Sequence, residues 1–441
     1  MYLIDKNEQL TTALISKIIQ SFETKDKYKL QRYYDYYTGK QDIMRKTVTD
    51  TTKPCNRIIT NYCYNITNNY LGYLTGKPIA YSSQQEIEDI QTILNYNDVK
   101  SADSELLKNA LIYGKSFELN YIDEDGEQRF KVLDTVNTID VYDNTINCNL
   151  LYVIRYYLAD TLDLNKGYYI EVYTDKEVYT YKSNSMYSSL ETISIMPNYF
   201  NQVPVTVFSL NTEQESIFDK IMTLQDAYNT LLSSEVDDFQ AFCDAYLVLK
   251  GVTAEPEDLQ SMKENRILLL DTTADASYLN KSISDTQIEN MLNNIDKKIH
   301  LIGNYPDFSS DAFGTSSGIA MKMKLLGLEN TASSIVQNMT KAIQKRIELI
   351  CTILSVKGAD SIWRDIDIIF TRNIPVDEAA IASEINTLRG LVSDKTLLAQ
   401  LPFIDDVEAE LEEMDKQNKT NATLYSFNSD NASNTGDGNA E

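Results

Sequence analysis

Histidine is almost missing from this chain: among 441 residues, His300 is the only one. That single scarcity removes His-based nucleophile triads and multi-histidine metal sites together. Long apolar runs are missing too; no stretch approaches the roughly eighteen consecutive apolar residues that a membrane span needs, so none is expected. The N-terminal Met1-Tyr-Leu-Ile-Asp-Lys-Asn-Glu8 has no basic region followed by an apolar core, so no secretory signal is expected. Positive charge is short: 40 Lys and Arg stand against 65 Asp and Glu, a net charge of −25. Tight phosphate binding needs clustered cations, so this chain is not expected to coat nucleic acid, although an acidic wall can surround it without gripping it. Five cysteines (Cys55, Cys63, Cys148, Cys243 and Cys351) are odd in number and scattered, and read as reduced thiols of a cytosolic protein.

What is present fits a globular chain. Hydrophobic residues make up 43%, an ordinary share, and the length allows two to four domains or one elaborate multi-part subunit. Thirty tyrosines suit half-buried strands and broad polar contact surfaces.

The stretch from Asp285 to Gly358 organises the rest. Ile288, Met291, Leu292, Ile295, Ile299 and Ile302 recur at three- and four-residue steps, with Asp285 as candidate N-cap and Gly303 as terminator. An aperiodic loop, Asn304 to Ser316, follows. Then comes a long helical pattern: Ile319, Leu325, Leu328, Ala332, Ile335, Met339, Ala342, Ile343, Arg346, Ile350 and Leu354. No proline interrupts Ser317 to Val356, which allows one helix of about 60 Å. Periodicity alone admits two readings, a long core or coiled-coil helix, or a spoke in a ring with the loop at its inner end.

Upstream, Leu10 to Phe22 is a short amphipathic helix. Lys25 to Arg57 is locally basic and Tyr-rich (Lys25, Lys27, Lys29, Arg32, Lys40, Arg45, Lys46, Lys53, Arg57), either a solvated face or a docking surface for an acidic partner or nucleic acid. Ile58, Tyr62, Ile66, Tyr70 and Tyr73 predict a helix ending near Gly72 or Gly76. Gly72-Tyr-Leu-Thr-Gly-Lys77 is not a phosphate loop: the glycine spacing is one short, Pro78 stands where the magnesium-holding hydroxyl belongs, and a helix precedes it. Helices are predicted near Ile87–Leu94 and Ser101–Tyr113. From Ser116 to Leu210 the period becomes two, giving strands such as Ser116–Ile122, Arg129–Leu133, Leu151–Leu158, Tyr168–Tyr173, Glu177–Tyr181 and Val205–Leu210, with an Asp125-Gly126 hairpin turn. Asp134, Asp140 and Asp143 read as a solvated edge or Asx turns, not as a catalytic set.

A helix is predicted from Glu215 to about Phe242, carrying Ile217, Ile221, Leu224, Ala227, Tyr228, Leu231 and Leu232. An insert follows, with strand Tyr246–Leu249, helix Pro256–Lys263, strand Arg266–Leu270 and an extended piece near Ser277–Lys281. Ile366, Ile368 and Phe370 mark a lone strand that must pair with a distant sheet. Residues Val376 to Asp415 read as helical, and 416–441, rich in Asn, Ser, Thr, Gly and Asp, as disordered. The fold class is α+β.

Several strings together resemble portal proteins of tailed bacteriophages that infect Gram-positive bacteria. They are Asn56-Arg-Ile-Ile with Gly72-Tyr-Leu-Thr-Gly-Lys-Pro-Ile-Ala-Tyr81, Leu224-Gln-Asp-Ala-Tyr-Asn229 with Ser233 and Ser234, and Ala245-Tyr-Leu-Val-Leu-Lys-Gly251. Ser317-Gly-Ile-Ala-Met-Lys322, Thr371-Arg-Asn-Ile-Pro375 and Leu391-Val-Ser-Asp-Lys-Thr396 with Leu401-Pro-Phe403 complete the set. The strings fall in order from about Lys25 to Asp415. The resemblance implies a subunit of a dodecameric ring around a channel for double-stranded DNA at one capsid vertex, assembled in the host cytoplasm and carried in the virion. It implies a wing (1–210 and 359–375), stem helices (211–242 and 285–303), a clip (243–284), a tunnel loop (304–316), a long spoke helix (317–358) and a crown (376–415). The crown is short, and the tail matches no motif. Implied partners are the terminase large subunit, the major capsid and scaffolding proteins and a head-completion adaptor.

Under that resemblance the DNA-facing residues are Asn304, Pro306, Asp307, Phe308, Ser309, Ser310, Asp311, Phe313, Gly314 and Thr315, in a loop with two aspartates and no Lys or Arg. Lys297 and Lys298 either line the bore or belong to a solvated helix face. Glu255, Glu257, Asp258 and Lys263 are the clip residues expected to dock a partner. No catalytic set, metal site or cofactor motif is expected. The competing readings are another head-completion or minor capsid protein and, remotely, a carboxylate metal-dependent nuclease; the latter lacks a carboxylate cluster on strand ends.

Overall fold

The computed structural model describes residues 1–49, 53–185, 189–243, 247–250, 275–278, 285–308, 318–356 and 362–374, and single positions and short runs between 383 and 417. It divides into two units, Met1–Asn373 and Ile374–Glu441.

In the first unit β1 (Tyr2–Ile4) is followed by α1 (Thr12–Lys25), α2 (Lys27–Thr38) and α3 (Tyr62–Thr75). Thr11 caps α1 by accepting from Leu14 N–H, and Asn61 caps α3 by accepting from Tyr64 N–H. Next come β2 (Ala80–Ser82), α4 (Glu88–Tyr96) and α5 (Val99–Tyr113). Gly76 caps the end of α3, and nothing larger fits there: a Cβ would lie 2.2 Å from the Asn373 side chain and 2.3 Å from the Gly72 carbonyl oxygen. The glycine of the false phosphate loop is thus a packing residue.

Strands follow from β3 (Lys115–Ile122) and β4 (Gln128–Leu133) through β5 (Thr138–Asp143), β6 (Leu150–Leu158), β7 (Tyr168–Thr174), β8 (Glu177–Ser183) and β9 (Glu191–Pro197) to β10 (Val205–Ser209). They form a six-stranded sheet in the order β1-β5-β6-β7-β8-β9 and a three-stranded sheet in the order β10-β3-β4. All pairings are antiparallel except β1 with β5. Phe117, Leu133 and Val205 of the small sheet pack with Val153 and Tyr173 of the large one. Tyr156, on the opposite face of β6 from Val153, meets Phe22 of α1 edge-on and donates to Glu23 at 2.7 Å. The large sheet is therefore covered on both faces at β6, which is why β6 reads as a nearly continuous apolar run.

The predicted strands appear within a residue or so, and β5 and β9 join them. Asp140 departs from expectation. It sits on β5 fully buried, paired with Lys115 of β3, and is no solvated edge. Asp134 and Asp143 behave as Asx turns, accepting from the Val136 and Thr145 amides.

The next helix, α6 (Met222–Cys243), starts seven residues later than its periodicity predicts. Gln214 is left-handed at φ 53°, and Asn211 accepts from the Glu215 amide and donates back to its carbonyl, so 211–218 is a turn. Strands β11 (Leu247–Lys250) and β12 (Asp275–Tyr278) pair antiparallel; the predicted Pro256–Lys263 helix and Arg266–Leu270 strand lie outside the described residues.

Helix α7 (Asp285–Ile302) and the unbroken 39-residue α8 (Gly318–Val356) follow as periodicity predicted. At 1.5 Å per residue α8 is about 58 Å long. Leu349 and Ile353 of α8 pack with Phe200, and Asn338 donates to the Leu210 carbonyl at 3.2 Å. Arg346, in phase with the apolar stripe, is fully buried and paired with Asp103 and Glu118. Strand β13 (Asp367–Ile369) pairs antiparallel with β2 instead of joining the large sheet.

Arg372, just beyond β13, holds Glu329 of α8 at 2.8 Å, while Tyr73 and Ser333 also donate to that carboxylate. The Arg372 hydrogen bonds above all, helped by those of Tyr73 and Ser333, lower the Glu329 pKa to about 2. A depressed carboxylate stabilises the fold above its unfolded pKa of about 4.3 and loses that contribution as pH falls toward 2. Glu329→Gln should therefore destabilise at pH 6 and converge with the parent near pH 2, as acid-unfolding curves would read. Because the side chain is 39% exposed, the difference should stay below about 1 kcal/mol. A gap that persists at pH 2 would count against it.

In the second unit, Ser393 accepts from the Thr396 amide at the start of α9 (Asp394–Leu398).

Candidate functional site

The loop that opens at Asn304 is anchored by its own first residues. Helix α7 stops at Gly303, where a Cβ would lie 2.8 Å from Ile66 Cδ1 of α3. Asn304 then takes a left-handed conformation at φ 51°, which its short polar side chain tolerates. Tyr70 of α3 donates to the Asn304 carbonyl at 3.0 Å, and the Asn304 side chain donates to Thr331 of α8 at 3.3 Å. Tyr305 is buried against His300, ring centroids 4.3 Å apart, and that burial raises its pKa above the ordinary tyrosine value. The loop therefore leaves a rigid corner made by α3, α7 and α8.

Beyond it, Pro306 and Asp307 are partly buried and Phe308 is about half exposed. Ser309, Ser310, Asp311, Phe313, Gly314 and Thr315 lie outside the described residues, as do Glu255, Glu257, Asp258 and Lys263. Lys297 and Lys298 are both exposed on α7.

The basic stretch is in part tied down within the chain, while Lys25, Lys40 and Arg45 stay on a solvated face. Several of its cations meet acids of the same chain: Arg32 pairs with Asp42 and approaches Asp226, Lys46 pairs with Asp237, and Lys29 approaches Glu215. Tyr36 donates to Asp226 at 2.7 Å and Tyr33 to Asp219 at 2.5 Å. Apart from Asp42, these acids lie on α6 and in the segment just before it.

Helix α6 holds a second arrangement that its apolar period concealed. Gln225, Asn229, Ser233 and Asp237 accept from the backbone amides of Tyr62, Thr60, Ile58 and Asn56, at 2.9, 2.9, 2.9 and 2.6 Å. Four helical residues rise about 6 Å and two extended residues about 6.6 Å, so a polar stripe at i, i+4, i+8 and i+12 matches every second amide of an extended chain. Gln225, Asn229 and Ser233 are fully buried, while Leu224, Leu231 and Leu232 are only half-buried. The polar spacing was legible, but the apolar pattern drew the reading to the wrong face. Asn229 also donates to Gln41 at 2.5 Å. Asn229→Leu would orphan the Thr60 amide and the Gln41 carbonyl, so urea unfolding should register a loss of about 2–4 kcal/mol. A loss under about 1 kcal/mol would mean that the stripe does not hold the segment.

No described helix is long and apolar enough to cross a membrane. A family model described as phage portal protein, SPP1 Gp6-like, matches residues 16–424. The chain is 25% identical over 407 residues to the portal protein of Clostridium phage phiCD119, covering 85% of this chain and 89% of that one. It is 23% identical over 442 residues to the portal protein of Bacillus phage SPP1, covering 92% and 86%. Among solved structures, the neck of an empty gene transfer agent particle shares the fold at a TM-score of 0.51 with 13% identity, covering 86% of this chain and 95% of that one.

Proposed function

Because this chain belongs to the phage portal protein family, of the SPP1 Gp6-like type, we propose that its copies close into a ring, expected to be a dodecamer, through which double-stranded DNA is packaged and ejected. The observation that carries this reading is the pairing of α7 and α8 on either side of an acidic loop, inside a family match that spans 16–424. The corner of α3, α7 and α8 fixes where the loop departs, as a gate hung on a rigid frame requires.

In this reading 1–210 with 359–375 is the wing, 211–242 and 285–303 are the stem, 243–284 is the clip, 304–316 the tunnel loop, 317–358 the spoke and 376–415 the crown. Exposed apolar residues give the ring something to bury: Met291, Leu301 and Ile302 on α7, and Met323 and Leu326 on α8. DNA passes without sequence recognition, because a channel of net-negative subunits repels the phosphate backbone. The clip docks the terminase large subunit during packaging and a head-completion adaptor afterwards, and the wing meets capsid and scaffolding proteins. The protein is a structural part of the particle.

Native mass and negative-stain images of the purified full chain test the proposal. Closed rings with a central opening are expected. A chain that stays monomeric across the concentration range in which its relatives assemble would overturn it.

A further inference from the structure

Asp296, His300 and Asp307 each bring one ligand atom to within 4.8 Å of the others, and we propose that they bind one divalent transition-metal ion, of the Zn2+ or Mn2+ class, that ties the start of the loop to α7. Asp296 and His300 stand one helical turn apart on α7, with His300 Nε2 3.6 Å from Asp296 Oδ1. Asp307 arrives from the other side of the chain reversal at Gly303 and Asn304.

Two features beyond proximity point to a ligand. The first is the orientation of the imidazole. His300 Nδ1 lies 3.3 Å from the Tyr305 carbonyl oxygen, and a carbonyl can only accept, so Nδ1 carries the hydrogen. In the neutral ring the lone pair is then on Nε2, the nitrogen facing Asp296. Metal-binding histidines are commonly fixed in this way, through a backbone carbonyl on the other ring nitrogen. The second is that the Asp296 carboxylate is itself held, accepting from Tyr62 at 2.6 Å. Such outer hydrogen bonds orient a carboxylate ligand.

Rings wall the site without closing it. Tyr305 packs against the imidazole with the rings tilted by 38°, Tyr62 meets it edge-on with centroids 6.1 Å apart, and the His300 and Asp296 side chains remain 17% and 32% exposed. Around a tetrahedral ion with ligands at ~2.1 Å, donor atoms stand roughly 3.4 Å apart, so side-chain movements of about 1 Å close the set. One imidazole with two carboxylates suits Zn2+ or Mn2+ better than Mg2+ or Ca2+, which prefer oxygen donors alone. Water fills the remaining positions. The scarcity of histidine excluded multi-histidine sites; it does not exclude one histidine joined by two aspartates.

The site rests on local geometry and not on the portal reading. Calorimetric titration of the chelator-stripped full chain with Zn2+, Mn2+ and Mg2+ tests it, with native mass recorded on the same samples. One Zn2+ or Mn2+ per chain is expected, with micromolar affinity and at least tenfold preference over Mg2+. His300→Gln and Asp307→Asn should each weaken binding at least thirtyfold, while Glu289→Gln, an exposed change on α7, should leave it unchanged. Tyr62→Phe keeps all three ligands and should weaken binding about tenfold, which serves even where a ligand variant misfolds. Co2+ bound in place of Zn2+ should give visible absorption that changes in His300→Gln. No saturable ion, or binding indifferent to both His300→Gln and Tyr62→Phe, would overturn the site. Rings that form normally in that case would leave the portal reading standing.

Discussion

Arg346→Met should destabilise the first unit by about 3–5 kcal/mol, the cost of leaving buried charge without its partner. The Arg346 guanidinium is fully buried. Its Nε and Nη2 grip both oxygens of Glu118, at 2.7 and 2.6 Å, and its Nη1 holds Asp103 at 2.5 Å. Tyr81 of β2 donates to the second Asp103 oxygen at 3.0 Å, and the guanidinium lies 4.7 Å from the centre of the Phe130 ring. One side chain of α8 thus joins α5, β2, β3 and β4. Burial pushes Glu118 above the usual carboxylate range even with the guanidinium pulling it back. Without Arg346 the two carboxylates can stay buried only by taking up protons, so the deficit should shrink as pH falls from neutral toward the unfolded carboxylate range of about 4. Arg346→Lys should recover part of the loss but not the bidentate grip on Glu118. The control is Arg346→Met with Asp103→Asn and Glu118→Gln, which removes the charges together and should recover most of the stability. If Arg346→Met alone loses less than about 1 kcal/mol in urea unfolding, or the triple variant is no better than the single, the network is not what holds α8 to the sheet.

That network shows where reading the sequence stops. Arg346 was visible as a member of the α8 stripe, because position in a helical period is local information. Its partners are 243 and 228 residues away, and no spacing rule reaches that far. The same limit holds for part of the basic stretch: Lys46 finds Asp237 191 residues on, whereas Arg32 pairs with Asp42 close by in the chain. Helix α8 itself was legible end to end, since an uninterrupted apolar period without proline leaves few alternatives. Helix α6 was legible in kind but not in extent. Ile217 and Ile221 keep its period, yet the turn held by Asn211 and the left-handed Gln214 delay the first hydrogen-bonded turn. Of the loop, composition gave the acidic character, whereas its corner depends on Ile66, Tyr70 and Thr331 reaching it from two other helices. The Asp296–His300 spacing was present in the sequence; only the reversal at Asn304 brings Asp307 to it.

Cations placed in the loop should turn a passage that DNA slides through into one that holds it. In the proposed ring, every copy contributes a loop, from Asn304 to Ser316, that carries Asp307 and Asp311 and neither Lys nor Arg. Asp311→Lys with Ser310→Lys removes one negative and adds two positive charges per chain, and Asp307 is left in place because it belongs to the cluster with His300. Twelve copies would present a belt of about two dozen lysines to the duplex. If six to ten of them engage phosphates, retention should fall by about 10^3–10^5 between roughly 50 and 200 mM salt, the signature of released counterions. The parent ring should show no comparable salt-dependent retention. Rings should still assemble, since the corner residues Gly303, Asn304 and Tyr305 are untouched. Packaging should stall at low salt and recover in part as salt rises, because the added interaction is screened. Filter retention of duplex DNA on purified rings, with packaging followed in parallel, reads both effects. Variant rings that hold DNA no more firmly than the parent and package at the parental rate would show that the loop does not face DNA.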